Sequence, residues 1–275
     1  GQIMKLEASS VANIIQRGGT LLKTARCPDF LKKSVRKEAA NILRRKEIDA
    51  LIVIGGDGSF TGAHLMQKET GFPCIGVPGT IDNDIYGSED TIGFDTAVNT
   101  ALDAIDRIRD TASSHDRIFL VEVMGRSSGF IGLMTGIGGG AETIIVPEEK
   151  ESVAQICTTI DRGVQRGKSS SIIVVSEGET PGLSQKIADQ LEEKGYGTKV
   201  CILGHTQRGG SPTAHDRLLG SALGAAAVAY LLNGKSDVMV GVRLGEIALT
   251  PFATVVAKKK PFSAELMSLA RTLSS

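Results

Sequence analysis

The 275-residue sequence predicts an α/β protein whose parallel sheets are covered by helices on both faces. Three observations carry this. Short β-rich runs alternate with longer helical patterns from one end of the chain to the other. The runs are rich in β-branched residues, as strands of parallel sheets are. One of them, Ala50 to Ile54, feeds directly into a glycine turn, Gly55 to Gly58, and then a helix, which is how α/β proteins hold phosphate.

In chain order, Val11, Ile14 and Ile15 have helical spacing until Arg17-Gly18-Gly19 breaks it. Leu31 to Lys46 is predicted as a charged helix with Val35, Ala39, Ile42 and Leu43 on one face. The strand Ala50 to Ile54 precedes a helix ending near Glu69, and Pro73 to Val77 is a short buried strand. Asp95 to Asp110 carries Ala97, Val98, Ala101, Leu102, Ile105 and Ile108, an amphipathic helix. Strand Ile118 to Val123 ends in Met124-Gly125-Arg126, followed by a glycine-rich helix to about Gly138. Strand Thr143 to Val146, helix Val153 to Arg166 and strand Ser171 to Ser176 follow. Leu183 to Lys194 is helical and Lys199 to Leu203 extended, before the loop Gly204-His205-Thr206-Gln207-Arg208-Gly209-Gly210. A long helix from Asp216 to Leu232, strand Val238 to Val242, a short extended piece at Thr254 to Val256 and a helix Ala264 to Leu273 close the chain.

The bulk composition narrows the function. There are 31 basic and 31 acidic residues, so nothing points to nucleic acid or an anionic membrane as a partner. No apolar run approaches the roughly 20 residues of a membrane helix, and no signal peptide is recognisable. Cys27, Cys74, Cys157 and Cys201 are scattered without a C-x-x-C pair and are expected as free thiols of a cytoplasmic protein. With 33 glycines and no tryptophan, short loops that approach a ligand closely fit better than an aromatic sugar platform.

In open parallel sheets ligands bind beyond the carboxyl ends of strands. The chain's most conspicuous polar residues, Asp57, Asp82, Arg126, Glu177 and His205, fall at such ends. Asp57 could simply cap its helix, but between Gly56 and Gly58 a carboxylate suits a Mg²⁺ on a phosphate. Asp82 and Asp84 could form an Asx turn; functionally they provide a general base and a second carboxylate near the metal. Arg126 could be a solvated helix-start cation or offset charge on a transferring phosphoryl group. His205 with Arg208 in a glycine loop suits a phosphomonoester, and Glu177 suits a sugar hydroxyl. Arg117 could equally make a surface ion pair. The run Lys258-Lys259-Lys260 reads as a solvated face.

Taken together, GGDGS, PGTIDND, SSHDR, VEVMGRSSG, SEG and GHTQRGGSP resemble, in order, the motifs of the bacterial-type ATP-dependent 6-phosphofructokinases. The resemblance spans essentially the whole chain. GGDG alone is shared with NAD and lipid kinases; PGTIDND together with MGR and GH-x-QRGG is specific. It implies two three-layer αβα domains with mostly parallel sheets, the ATP-binding one at 1–93 and 207–257 and the sugar-phosphate-binding one at 94–206 and 258–275. The implied reaction moves the γ-phosphoryl of MgATP to the 1-hydroxyl of fructose 6-phosphate, a step of glycolysis.

Residue by residue, the resemblance places Gly56, Asp57, Gly58 and Ser59 on the ATP phosphates, with Asp57 on Mg²⁺ and Arg26 and Cys27 at the nucleotide. Asp82 is the base, flanked by Thr80 and Asp84, and Arg126 stabilises the transition state. Met124, Gly125, Glu177, Lys199, His205 and Arg208 hold the sugar phosphate. Arg117 reaches the site of a neighbouring subunit, which implies a homotetramer. Arg109, Glu142, Arg166 and Lys168 match effector-binding positions. In the pyrophosphate-dependent relatives an Asp follows GGD and a Lys precedes TIDND; here Gly58 and Gly79 leave room for the α-phosphate of ATP.

Three departures stand out. The family's opening strand and GGD-x-P-G loop are not in the sequence, which begins at Gly1, so a longer natural chain is expected. Lys199 replaces an arginine, keeping charge but losing the bidentate fork. Ala8 and Ala12 stand where bacterial enzymes often have Arg and Ser at the effector site. The alternative readings are another GGDG kinase, such as an NAD kinase, and a catalytically silent, effector-binding subunit of a phosphofructokinase oligomer.

Overall fold

The computed structural model describes residues 3–112, 117–149, 151–168 and 170–274. Residues 113–116, the SSHD of the SSHDR motif, lie outside the described residues. The chain divides into two compact units. Unit 1 is Gly1–Thr80, Asp84–Gly93 and Ser211–Lys260; unit 2 is Ile81–Asn83, Phe94–Gly210 and Pro261–Ser275.

Unit 1 contains α1 (Lys33–Arg45), β1 (Leu51–Gly55), α2 (Asp57–Thr70), β2 (Cys74–Pro78), α7 (Ala214–Leu232), β7 (Val238–Arg243), β8 (Glu246–Pro251) and α8 (Phe252–Ala257). Its sheet runs β1-β2-β7-β8, parallel except for the antiparallel β7–β8 hairpin. Alternate residues of β2 feed two cores. Cys74 packs with Phe60, Met66 and Phe252 from α2 and α8, whose Phe60 and Phe252 rings stack 5.6 Å apart. Ile75 and Val77 pack with Leu219, Leu223 and Ala227 of α7 on the other face. Arg36 of α1 grips Glu69 of α2 bidentately at 2.8 and 2.7 Å and donates to the Phe30 carbonyl, so the buried guanidinium is satisfied.

Unit 2 contains α3 (Phe94–Ala112), β3 (Ile118–Val123), α4 (Phe130–Gly138), β4 (Thr143–Ile145), α5 (Val153–Gln165), β5 (Ser171–Ser176), α6 (Leu183–Glu192), β6 (Thr198–Ile202) and α9 (Ala264–Ser274). Its sheet, β4-β5-β3-β6, is wholly parallel. On β5, Ile172 and Val174 face a core shared with α3, α4 and α9, while Ile173 and Val175 face one shared with α5 and α6. Each unit is therefore a three-layer αβα sandwich, because every central strand carries apolar residues on both sides.

Four local expectations are corrected. No helix forms over Val11 to Leu22: a single 3-10 turn spans Ala8–Val11, and Asn13 and Gly19 take positive φ of 56° and 75°. Val11, Ile15, Leu21 and Leu22 are exposed, so the helical spacing has no apolar surface to bury against. Thr254 to Val256 is helical within α8, since Phe252 and Val255, three residues apart, both point into the core. Strand β8 was not foreseen: its hairpin turns at Leu244 and Gly245, with φ of 53° and 75°, and leucine is no turn signal. Finally, among the described residues β1 is not covered on both faces; it is the first strand of the order β1-β2-β7-β8, with Ile52 and Ile54 37% and 57% exposed.

Candidate active site

In unit 1 the sequence Gly55-Gly56-Asp57-Gly58-Ser59 turns from the end of β1 into α2. Gly56 is the N-cap residue and Asp57 lies in the first helical turn, so free N–H groups and the positive helix end coincide. The loop after β2 closes on this turn. Gly79 N–H donates to the Gly55 carbonyl at 3.0 Å, and Thr80 lies next to Gly56. Thr91 Oγ1 donates to the Thr80 carbonyl at 2.6 Å. Gly58 faces open space, whereas a Cβ on Gly79 would meet Ile54 Cγ2 at 2.8 Å. Packing against Ile54 thus disfavours a side chain at 79, whereas Gly58 leaves open space.

Partial desolvation holds the Asp57 carboxyl above its usual range, the Asp84 charge adds to this, and Lys259 opposes it. Two mutually repelling carboxylates beside a glycine turn at a helix N-terminus are a donor set of the kind Mg²⁺ takes when substrate phosphates supply the rest, since no group of three or more His, Cys, Asp or Glu is found among the described residues. The residues present fit the ion.

Lys258 and Lys259 are exposed, as a solvated face requires, but the run also makes specific contacts. Lys259 pairs with Ile85 in an antiparallel bridge, and Lys260 Nζ donates to the Glu89 carbonyl at 2.6 Å. Lys258 Nζ lies 5.2 Å from the centre of the Tyr86 ring. Burial pushes Lys260 down to about 8 against the charges of Asp90, Asp84 and Glu89. Glu89 in turn accepts from the N–H groups of Leu244 and Gly245 at 2.6 and 3.3 Å. The loop after Asp84 is thereby tied to the β7–β8 hairpin and to the residues after α8. Periodicity could not reveal this, since it depends on a hairpin turn marked in the sequence by Gly245 alone.

In unit 2 three neighbouring strands, β5, β3 and β6, end side by side. Glu177 follows β5, Met124-Gly125-Arg126 follows β3, and the 3-10 turn Gly204–Arg208 follows β6. Gly125 has φ 143° and any side chain there would strike the Ser128 carbonyl, so only glycine fits. Arg126 also has positive φ, 52°, and its N–H donates to Glu177 Oε1 at 3.1 Å. Ser128 Oγ donates to the carbonyl of Asp82, which belongs to this unit, at 2.9 Å. Arg126, His205 and Arg208 at these ends are exposed; Lys199 is exposed too, but near the start of β6, paired with Phe119 and away from these strand ends.

Gln207 had no role in the sequence reading. It is buried, accepting from Met124 N–H at 2.8 Å and donating to the Ala97 carbonyl at 3.2 Å. Within GHTQRGG nothing distinguished it from an exposed polar residue.

Arg109, Glu142 and Lys168 line an open pocket of about 320 Å³ in unit 2 with Gly140, Gly167 and Ser170. Lys168 Nζ meets Glu142 Oε1 at 3.2 Å, and Arg109 donates to the carbonyls of Gly139 and Gly140. Arg166, exposed at the end of α5, is not among the lining residues, nor are Arg26 and Cys27 drawn into a site within unit 1; both are exposed in the chain before α1. Arg117 is exposed at the start of β3. Among the described residues no helix is long and apolar enough to cross a membrane.

These two sandwiches, with a glycine turn at a helix N-terminus in one and a strand-end cluster of carboxylate and cations in the other, have the groups that an α/β phosphotransferase needs. The phosphofructokinase family matches residues 1–231, and the chain belongs to that family. It is 52% identical over 277 residues to ATP-dependent 6-phosphofructokinase 1 of Thermus thermophilus, covering 99% of this chain and 85% of that one. It is 48% identical over 276 residues to ATP-dependent 6-phosphofructokinase 2 of Bacteroides thetaiotaomicron, covering 100% and 85%. Pichia pastoris phosphofructokinase in the T-state superposes with a TM-score of 0.86 at 32% identity, over 98% of this chain and 31% of that longer one. The pyrophosphate-dependent phosphofructokinase of Marinobacter aquaeolei, at 24% identity and TM-score 0.81 over 94% of this chain and 71% of that one, shares the fold.

Proposed function

We propose that the protein transfers the γ-phosphoryl of MgATP to the 1-hydroxyl of fructose 6-phosphate, giving fructose 1,6-bisphosphate and ADP in glycolysis. The observation that carries this reading is the strand-end assembly of unit 2: Arg126 anchored through Glu177, beside the GHTQRGG turn. An NAD kinase substrate would leave these groups without a task. The names of the relatives point the same way.

In this reading Gly56 to Ser59 bind the ATP phosphates through backbone N–H groups at the α2 N-terminus, and Arg26 and Cys27 contact the nucleotide. Asp57, with Asp84 beside it, holds Mg²⁺, which when bound neutralises phosphate charge. Asp82 takes the proton of the sugar 1-hydroxyl as its oxygen attacks the γ-phosphorus. The bond to the β–γ bridging oxygen breaks and ADP leaves. Thr80 orients the loop, and Arg126 offsets the charge that develops on the phosphoryl oxygens. Met124, Gly125, Glu177, His205 and Arg208 bind the sugar phosphate; Lys199, near the opposite end of β6, is assigned to it by the family resemblance alone. Unit 1 then serves as the nucleotide unit and unit 2 as the sugar unit. The reading includes a cytoplasmic homotetramer in which Arg117 serves a neighbouring subunit's site, and effector binding by Arg109, Glu142, Arg166 and Lys168.

The test is coupled-assay turnover of fructose 6-phosphate with Mg²⁺ and either ATP or pyrophosphate as donor. Turnover with ATP alone is expected. A folded protein that turns over with neither donor would overturn the reading in favour of a silent, effector-binding subunit.

A further inference from the structure

We infer that Gln207 is a positioning residue: its carboxamide fixes the turn that presents Arg126 and couples that turn to the His205–Arg208 loop. The inference rests on the phosphoryl-transfer reading for its kinetic consequences, and on unit 2 geometry alone for its structural ones.

The β3–β6 ladder runs out at this point. Leu203 N–H donates to the Glu122 carbonyl at 3.0 Å, and the next rung of a parallel ladder would bring Met124 N–H to the Leu203 carbonyl. That carbonyl instead accepts from Thr206, through N–H at 3.3 Å and Oγ1 at 2.7 Å. Gln207 Oε1 supplies the missing acceptor to Met124 N–H at 2.8 Å. Nε2 of the same group donates to the Ala97 carbonyl in the first turn of α3, at 3.2 Å. The amide orientation is forced, because one neighbour can only donate and the other can only accept. At 1% exposure no water is at hand to replace either bond.

Two residues beyond Met124 stands Arg126, already in the left-handed region at φ 52°. A turn of that kind persists only when its surroundings over-determine it. Gln207 holds one end and Glu177 the other. His205, two residues before Gln207, and Arg208, just after it, are exposed, so one buried amide sets the registry of two loops.

The carboxamide needs both of its functions, and this gives the test. In Gln207→Met the volume is kept and both bonds are lost. We expect kcat about ten- to a hundredfold lower and a raised KM for fructose 6-phosphate, with the KM for ATP within about twofold of the parent. In Gln207→Glu the acceptor is kept, but an ionised carboxylate opposes the Ala97 carbonyl and only the protonated acid donates to it. Its kcat, relative to the parent at each pH, should therefore fall as pH rises. Hydrogen exchange of the 124–128 backbone, read by mass spectrometry, should quicken in both variants at neutral pH. Parental kinetics in a folded Gln207→Met, or a Gln207→Glu pH profile parallel to the parent with unchanged exchange, overturns the inference. An inactive parent would overturn the phosphoryl-transfer reading instead, and the exchange measurement would still decide the role of Gln207.

Discussion

The backbone N–H of Arg126 donates to Glu177 Oε1 at 3.1 Å, so the carboxylate assigned to the sugar also anchors the cation assigned to the phosphoryl group. The two roles separate by substitution. Glu177→Gln keeps an oxygen for the Arg126 N–H but loses the charge; its main effect should be a raised KM for fructose 6-phosphate. Glu177→Ala removes the anchor as well, and kcat should drop by about tenfold or more. Steady-state kinetics of both variants check this; equal kcat in the two would refute the anchoring role.

Asp82 carries the general-base assignment. Asp82→Ser should lower kcat by at least about a hundredfold while leaving nucleotide affinity near the parent value. Turnover together with equilibrium titration of ATP makes the comparison. Normal turnover would remove the base assignment.

Gly58 and Gly79 stand where the pyrophosphate-dependent relatives carry side chains, yet their surroundings differ. The open space at Gly58 means that Gly58→Ala folds as well as the parent, or up to about 1 kcal/mol better within the helix, while its KM for ATP rises. Gly79→Ala should instead lower the melting temperature, because the new Cβ meets Ile54 Cγ2 at 2.8 Å. Trimming the neighbour in Gly79→Ala/Ile54→Ala should reduce the penalty below the sum of the single changes, a non-additivity that thermal melts can read.

Cys74 predicts a pH dependence of stability. Burial, reinforced by the Asp237 charge, pushes its thiol from 9.0 up to about 12. The unfolded chain therefore loses this proton first. The stability it contributes is complete below pH 9 and is lost as pH rises toward 12. Lys260, held down to about 8, works in the opposite sense: its contribution is present above its ordinary value of 10.5 and lost as pH falls through 8. The difference between parent and Cys74→Ala cancels the lysine. From urea midpoints at pH 8 and pH 10.5, the parent should lose stability relative to the variant as pH rises.

Much of this protein was legible in its residue order. The strand–turn–helix at Ala50 to Gly62 and the positions of Asp82, Arg126, Glu177 and His205 follow from hydrophobic period and glycine placement, which act over a few neighbouring residues. What only the tertiary structure decided are matters of distant partners. Gln207 gained its role from Met124 and Ala97, 83 and 110 residues away. Lys259 and Lys260 became neighbours of the acidic loop after Asp84 through a hairpin whose Leu244-Gly245 turn is marked only by its glycine. The apolar residues from Val11 to Leu22 stayed exposed for the same reason in reverse: spacing alone forms no helix without an apolar face to pack against. Local sequence determines which strands end in polar residues, whereas long-range hydrogen bonds and close packing determine how those ends are held.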